Sequence, residues 1–396
     1  MSAHALFSPY DYDVHIDPYP TYERLRASAP VYRNEEFDFW ALSRHEDVLG
    51  AFRNIEGFSN ANGVSMDPSA YGPDAHRVMS FLAMDPPRHT RMRTLIGKGF
   101  TPRTVMGMEE RIRELTLEHL EPALELGEFD FIADFAGRLP MDVISELIGV
   151  PRADRAELRR LADLVVHREE GLFDVPEAGQ LAALELVVYY AEMVAERRKS
   201  RRSDLTSELL DARIDGDALS DEEIIAFLFL MVVAGNETTT KLLGNAWYWA
   251  WRNPETQRRV LHEPDLVAPW IEETLRYDGS SQMVLRTTRT PIRAHGIEIP
   301  ADERVLLLIG SANRDERVFS SPEVFDLDRD TSKMVSFGNG RHFCMGAPLA
   351  RLEARIALEE LRHRVVDYEI DPARTEWFDS VNVRGFATMK TTVEVR

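Results

Sequence analysis

The stretch SFGNGRHFCMG, Ser336 to Gly346, holds the only cysteine in the chain, Cys344. Gly338, Gly340 and Gly346 surround it, and Arg341 and His342 come just before it. Glycines let a backbone turn tightly or pass close to a flat ligand, which a merely packed thiol does not require. After Gly346 the helical pattern APLARLEARIALEELRHRV begins, so Cys344 sits just ahead of a helix N-terminus, where the dipole favours a thiolate.

A thiol in this setting has few roles open to it. A thiolate zinc cluster is excluded because there is no second cysteine. A buried structural thiol remains open, as does a nucleophile with His342 as its base. However, residues two apart point to opposite faces of a strand and diverge on a helix. An axial ligand to an iron porphyrin needs one cysteine only, and the glycines would let the backbone pass under the macrocycle.

The 396 residues, 44% hydrophobic, can bury a large core. One cysteine excludes a disulfide framework and fits a reducing cytoplasm. A net charge of −20 argues against nucleic acid and anionic membrane as partners. The N-terminus lacks a basic segment followed by an apolar run, so it does not read as a signal peptide. The longest apolar stretch, Ile224 to Ala234, falls short of the roughly 18 residues that span a bilayer.

Helical periodicity dominates the chain, with no repeat or linker, and predicts a mainly helical α+β fold in one domain over residues 1–396. Strand patterns are confined to a smaller β-rich part near 31–43, 283–309 and 378–396. Two loops, Asn60 to Arg77 and Arg168 to Gly179, carry the composition of a movable lid. A long apolar helix opens on a capping box, Ser220 with Glu223, and carries the polar insertion AGNETTT, Ala234 to Thr240. Polar groups in so apolar a helix are costly unless paired or used. Ala234 and Thr238 lie one turn apart on one side of it. The pairs Glu273/Arg276 in EETLR and His89/Arg93 in DPPRHTRMR are each spaced to share a helix face.

Together these segments resemble the haem-thiolate monooxygenases, the cytochrome P-450 family, in its soluble bacterial branch, over nearly the whole chain. The motif FGNGRHFCMG is similar to the family's ligand loop, and the other three segments follow in its order and spacing. The resemblance implies the P-450 fold, with a long central helix over the haem and small β-sheets. It makes Cys344 the axial ligand of the iron in haem b (iron protoporphyrin IX). Thr238 becomes the alcohol and Glu237 the acid of a proton relay to bound O2. His89, Arg93, Arg286 and His342 become the grip on the haem propionates. Glu273, Arg276 and Arg329 become a buried structural triad.

The resemblance further implies a pocket drawing on Phe81, Leu82, Met231, Ala234, Met283, Val284 and Phe386, with Ser280, Ser281 and Gln282 as polar anchors. The activity implied is insertion of one oxygen atom into a C–H bond of a lipophilic small molecule, by hydroxylation or epoxidation. NAD(P)H would supply electrons indirectly, through a separate reductase and an acidic ferredoxin. The ferredoxin would dock on a basic patch including Arg88, Arg91, Lys98, Arg103, Arg341, Arg351 and Arg355. The protein is expected as a cytoplasmic monomer. Three alternatives stand beside this one: a haem-thiolate peroxygenase, a non-catalytic haem-binding protein of the same fold, and a haem-free protein. The first two typically lose the acid–alcohol pair that is present here, and a thiolate-type Soret shift with carbon monoxide separates the third.

Overall fold

A computed structural model describes residues 6–97, 100–169 and 171–396. Among the described residues ten strands form three small sheets. The largest is five-stranded, with β1 (Val31–Asn34), β2 (Phe39–Leu42), β3 (Phe58–Ser59), β5 (Met283–Thr288) and β8 (Arg304–Leu308) in the order β1-β2-β8-β5-β3. Strand alternation makes it a divider between two apolar clusters. Val305 and Leu307 point to one side, with Val48, Phe52 and Ile299. Leu306 and Leu308 point to the other, with Phe7, Tyr22, Met283 and Leu285.

The second sheet joins β4 (Glu128–Asp130), β10 (Phe386–Val395) and β9 (Val365–Trp377). The β6 (Ile292–Ala294) and β7 (Ile297–Ile299) strands form a separate hairpin. The hairpin of 31–43 and the terminal strand match the sequence reading, whereas β9 was not foreseen. Pro372 interrupts its alternation, and its pairing with β10 contains three register shifts.

Eight helices position the site: α1 (His45–Arg53), α2 (Arg88–Ile96), α3 (Leu139–Ile148), α4 (Arg155–Val166), α5 (Glu177–Lys199), α6 (Asp221–Trp251), α7 (Val267–Tyr277) and α8 (Ala347–Arg364). The α6 helix starts at the expected capping box, with both reciprocal bonds formed between Ser220 and Glu223. It is apolar and long enough by composition to cross a membrane, yet its buried residues pack in the main core against α3, α4, α5, α7 and α8. Near its C-terminal end Trp247 stacks on Tyr368 of β9 at 3.5 Å between ring centroids. Gly235 lets α6 lie close to α3, because a Cβ there would meet Ile144 at 3.1 Å.

The two loops read as a lid are bonded to each other. Arg168 donates from Nε and Nη2 to the buried Asp67 carboxylate at 2.9 and 2.8 Å. Ser69 Oγ donates to Asp174 Oδ1 at 2.7 Å.

Candidate active site

The loop before α8 answers the question its glycines raise. Gly338 and Gly340 adopt φ of +69° and +68°, a region that side chains disfavour. A Cβ on Gly340 would also lie 2.9 Å from the Phe52 carbonyl oxygen of α1. Gly346 has an ordinary φ, but a Cβ there would come within 4.0 Å of Cys344 Sγ. The loop closes through a bond from Cys344 N to Phe337 O at 2.9 Å. Cys344 is thereby turned into a cavity of about 280 Å³. The sulfur is accessible from that cavity although protein surrounds it on its other sides. Burial pushes its thiol up, while backbone N–H groups of Gly346 and Ala347 and the cations Arg93 and Arg351 pull the other way. The helix-terminus effect expected from the sequence is present but smaller than desolvation. A bound metal would reverse the balance, since coordination deprotonates a thiol outright.

Beside the cysteine, α2, β5 and the cysteine loop bring four basic side chains together. The rings of His89 and His342 lie 4.1 Å apart. Both ring nitrogens of His89, Nη1 of Arg93 and Nδ1 of His342 are buried without a protein partner. Arg286 is buried and gives its one side-chain hydrogen bond to the Leu285 carbonyl. Burial, followed by the neighbouring cations, drives His89 down to about 4. Burial lowers Arg286 to about 10, against the opposing pull of Asp85. Donors that are buried, crowded and unpaired are costly unless anions meet them. Two propionate carboxylates beside a thiolate-held macrocycle are the anions this donor set fits.

Across the cavity runs the middle of α6. Ala234, Gly235, Thr238 and Thr239 line it, and Thr238 Oγ1 donates to the Ala234 carbonyl at 2.8 Å. Glu237 does not line it. Its carboxylate lies 3.1 Å from Lys241 Nζ.

Beneath the cysteine loop, Glu273 accepts both Arg276 bonds at 2.7 and 2.6 Å, and Arg329 Nε lies 3.3 Å from the same carboxylate. All three are buried. Arg276 also donates to the carbonyls of Asn313, Pro322 and Val324. The triad thus pins the 313–329 segment to α7. Ser336, the first residue of the cysteine loop, is tied in by bonds to Leu275 O and from Asn313 Nδ2.

Of the pocket residues expected from the sequence, Phe81, Leu82, Met231, Ala234 and Val284 line the cavity, as do Ser280 and Ser281. Met283 and Phe386 do not. Met283 neighbours Val284 on β5, so alternation turns it into the cluster around Phe7 and Tyr22. Phe386 stacks on Trp377 at 4.2 Å, and its carbonyl accepts from Lys241 Nζ. Gln282 turns its amide to the Gly279 carbonyl.

Ile144, Leu242 and Glu353 line the cavity without having been foreseen. Glu353 of α8 is fully buried, has an unpartnered Oε2, and is held well above the usual carboxylate range by desolvation. Its position nine residues past the cysteine carries no pattern that periodicity could detect.

A family model described as Cytochrome P450 matches residues 180–365. A Mycobacterium tuberculosis protein named cytochrome P450 123 by inference is 55% identical over 392 residues, 99% of this chain and 98% of its own. The chain belongs to the cytochrome P450 family. This P450 is also 37% identical to cytochrome P450 109 of Bacillus spizizenii, over 87% of this chain and 83% of that protein. Among solved structures it resembles CYP109Q5 from Chondromyces apiculatus, at a TM-score of 0.91 and 35% identity, with 98% of each chain covered. It also resembles CYP109E1 from Bacillus megaterium in complex with testosterone, at 0.84 and 32%, over 95% of this chain and 99% of that one. Membership makes this P450 a haem-dependent monooxygenase in general, with the fold expected from the cysteine loop.

Proposed function

We propose that the chain is a single-domain, cytoplasmic, monomeric monooxygenase that hydroxylates or epoxidises an uncharged lipophilic small molecule. The observation that carries this reading is Cys344 facing the cavity beside four basic side chains, three of which, His89, Arg93 and His342, hold buried nitrogens without a protein partner. Cys344 would hold haem b through its iron, and His89, Arg93, Arg286 and His342 would hold its propionates. When bound, that group supplies the binding and cleavage of dioxygen.

The chain's own residues supply the rest. Phe81, Leu82, Met231 and Val284 desolvate the substrate and exclude water from the reacting bond. Among the described residues the only ionisable groups on the cavity wall besides Cys344 are Arg286, His342 and Glu353, which leaves no free cation for a substrate carboxylate. The Ser280 and Ser281 hydroxyls, also on that wall, suit a substrate with a carbonyl or hydroxyl. The testosterone complex of CYP109E1 is in keeping with that class. Thr238 holds its hydroxyl at the cavity edge against Ala234 O, where it can pass a proton, with Glu237 behind it as the acid.

Electrons would come from NAD(P)H through a reductase and an acidic ferredoxin. The docking charge is smaller than the sequence suggests. Arg91 is paired with Asp217 and Glu223, Arg351 with Glu272, and Arg355 with Glu109 and Glu359. Lys98 lies outside the described residues. Arg88, Arg103 and Arg341 remain exposed without an acidic partner among the described residues.

The test is Thr238→Ala. The variant is expected to keep haem and substrate binding, while more of the reducing equivalents appear as hydrogen peroxide and fewer as product. Unchanged coupling would remove Thr238 from the relay.

A further inference from the structure

Glu237 is buried and does not line the cavity, and one of its polar contacts leads toward α4. Its Oε1 accepts from Asn236 Nδ2 at 3.2 Å. The same amide nitrogen lies 3.5 Å from Asp163 Oδ1. The Glu237 side chain is 5% accessible and Lys241 3%, whereas Asp163 is 41% accessible. Lys241 is fixed between Glu237 and the Phe386 carbonyl, 2.9 Å away, and does not reach water. The charged groups facing Asp163 are Glu237 and Lys241 from α6 and Arg159, 3.9 Å away, from its own helix.

We propose that Asp163 is the solvent terminus of the proton path through Glu237, the two carboxyls sharing one proton beside the Asn236 amide. The inference rests on reading Glu237 and Thr238 as the relay. Desolvation, and then the Glu237 carboxylate, hold the Asp163 carboxyl above its usual range. Asp163 takes a proton from water and passes it to Glu237. Neutralising Glu237 weakens its pairing with Lys241, which frees the side chain to swing toward Thr238. Each proton delivered is replaced by one from solvent at Asp163, and no electrons move.

The experiment uses the haem-loaded protein and the variants Asp163→Asn, Asp163→Glu, Glu237→Gln and Thr238→Ala. Infrared titration reads protonated carboxyl groups directly. Wild type minus Asp163→Asn isolates Asp163 from the buried Glu353. The expected signal titrates above the ordinary carboxylate range and shifts downward in Glu237→Gln. Coupling of electron uptake to product should fall several-fold in Asp163→Asn, with a flattened pH profile and a larger solvent isotope effect, and Asp163→Glu should restore it. An Asp163 signal in the ordinary range, or wild-type coupling and pH profile in Asp163→Asn, overturns the inference. If Thr238→Ala changes coupling and Asp163→Asn does not, only the inference fails. If neither does, the relay reading fails with it.

Discussion

The imidazole of His89, on α2, lies 4.1 Å from that of His342, in the cysteine loop, and neither ring nitrogen of His89 has a protein partner. Two elements far apart in sequence therefore place imidazoles side by side in a buried, cation-rich corner.

If this corner grips carboxylates, each lost donor should loosen haem. A hydrogen bond to a charged group contributes about 1.5–3 kcal/mol, so His89→Ala should speed haem transfer to apomyoglobin roughly ten- to a hundredfold. Arg286→Leu should do the same while keeping the thiolate spectrum. Transfer at the wild-type rate in both would place the propionates elsewhere.

Glu273 neutralises two buried guanidinium groups at once. Glu273→Ala would leave both without their carboxylate, and breaking a buried pair in this way costs about 3–5 kcal/mol. Denaturant unfolding should register that loss, with poor haem retention because the cysteine loop is tied to the same segment. A loss below about 1 kcal/mol, the scale of a surface pair, would contradict the triad's structural role.

Asp163 also makes a prediction about stability. Its folded-state carboxyl is raised, to about 8, so folding binds a proton that the unfolded chain has already released. Wild-type stability should therefore fall as pH rises from the ordinary carboxylate range toward 8. Asp163→Asn removes that term, so melting of the variant relative to wild type should improve with pH across this window. A pH-independent difference would mean that the carboxyl is not raised.

The bond between the two loops gives a further expectation. Arg168→Ala leaves the buried Asp67 without its cation, with only Ser65 Oγ among the described residues still donating to it, so hydrogen exchange in 60–77 should accelerate, as should ligand binding and release. Unchanged exchange would mean that the Asp67–Arg168 pair does not latch the loops.

Charge reversal at Arg88 or Arg103 should slow reduction by an acidic ferredoxin at low ionic strength, and the effect should fade with added salt. Reversal at Arg351 or Arg355 breaks pairs inside the protein and should act on stability instead. A salt-independent rate would remove the docking site.

The features most legible in the sequence were those whose chemistry is local. The glycines around Cys344 and the spacing of Glu273 and Arg276 declare themselves over a few residues, and the capping box at Ser220 fixed the start of α6. Side-chain direction was less legible. Met283 and Val284 were both expected in the pocket, although adjacent strand residues face opposite ways. Glu237 shares α6 with Thr238, yet its direction depends on Lys241 and on Asn236 beside Asp163. The importance of Asp163 depends on how α4 packs against α6, which no local pattern encodes.

The central claim is that Cys344 binds haem iron as a thiolate. The most direct measurement is the spectrum of the reduced protein with carbon monoxide, taken beside Cys344→Ala. The account predicts the long-wavelength Soret band of a thiolate-ligated haem in the wild type and its loss in the variant. A wild-type protein without that band, or a variant that keeps it, would contradict the account.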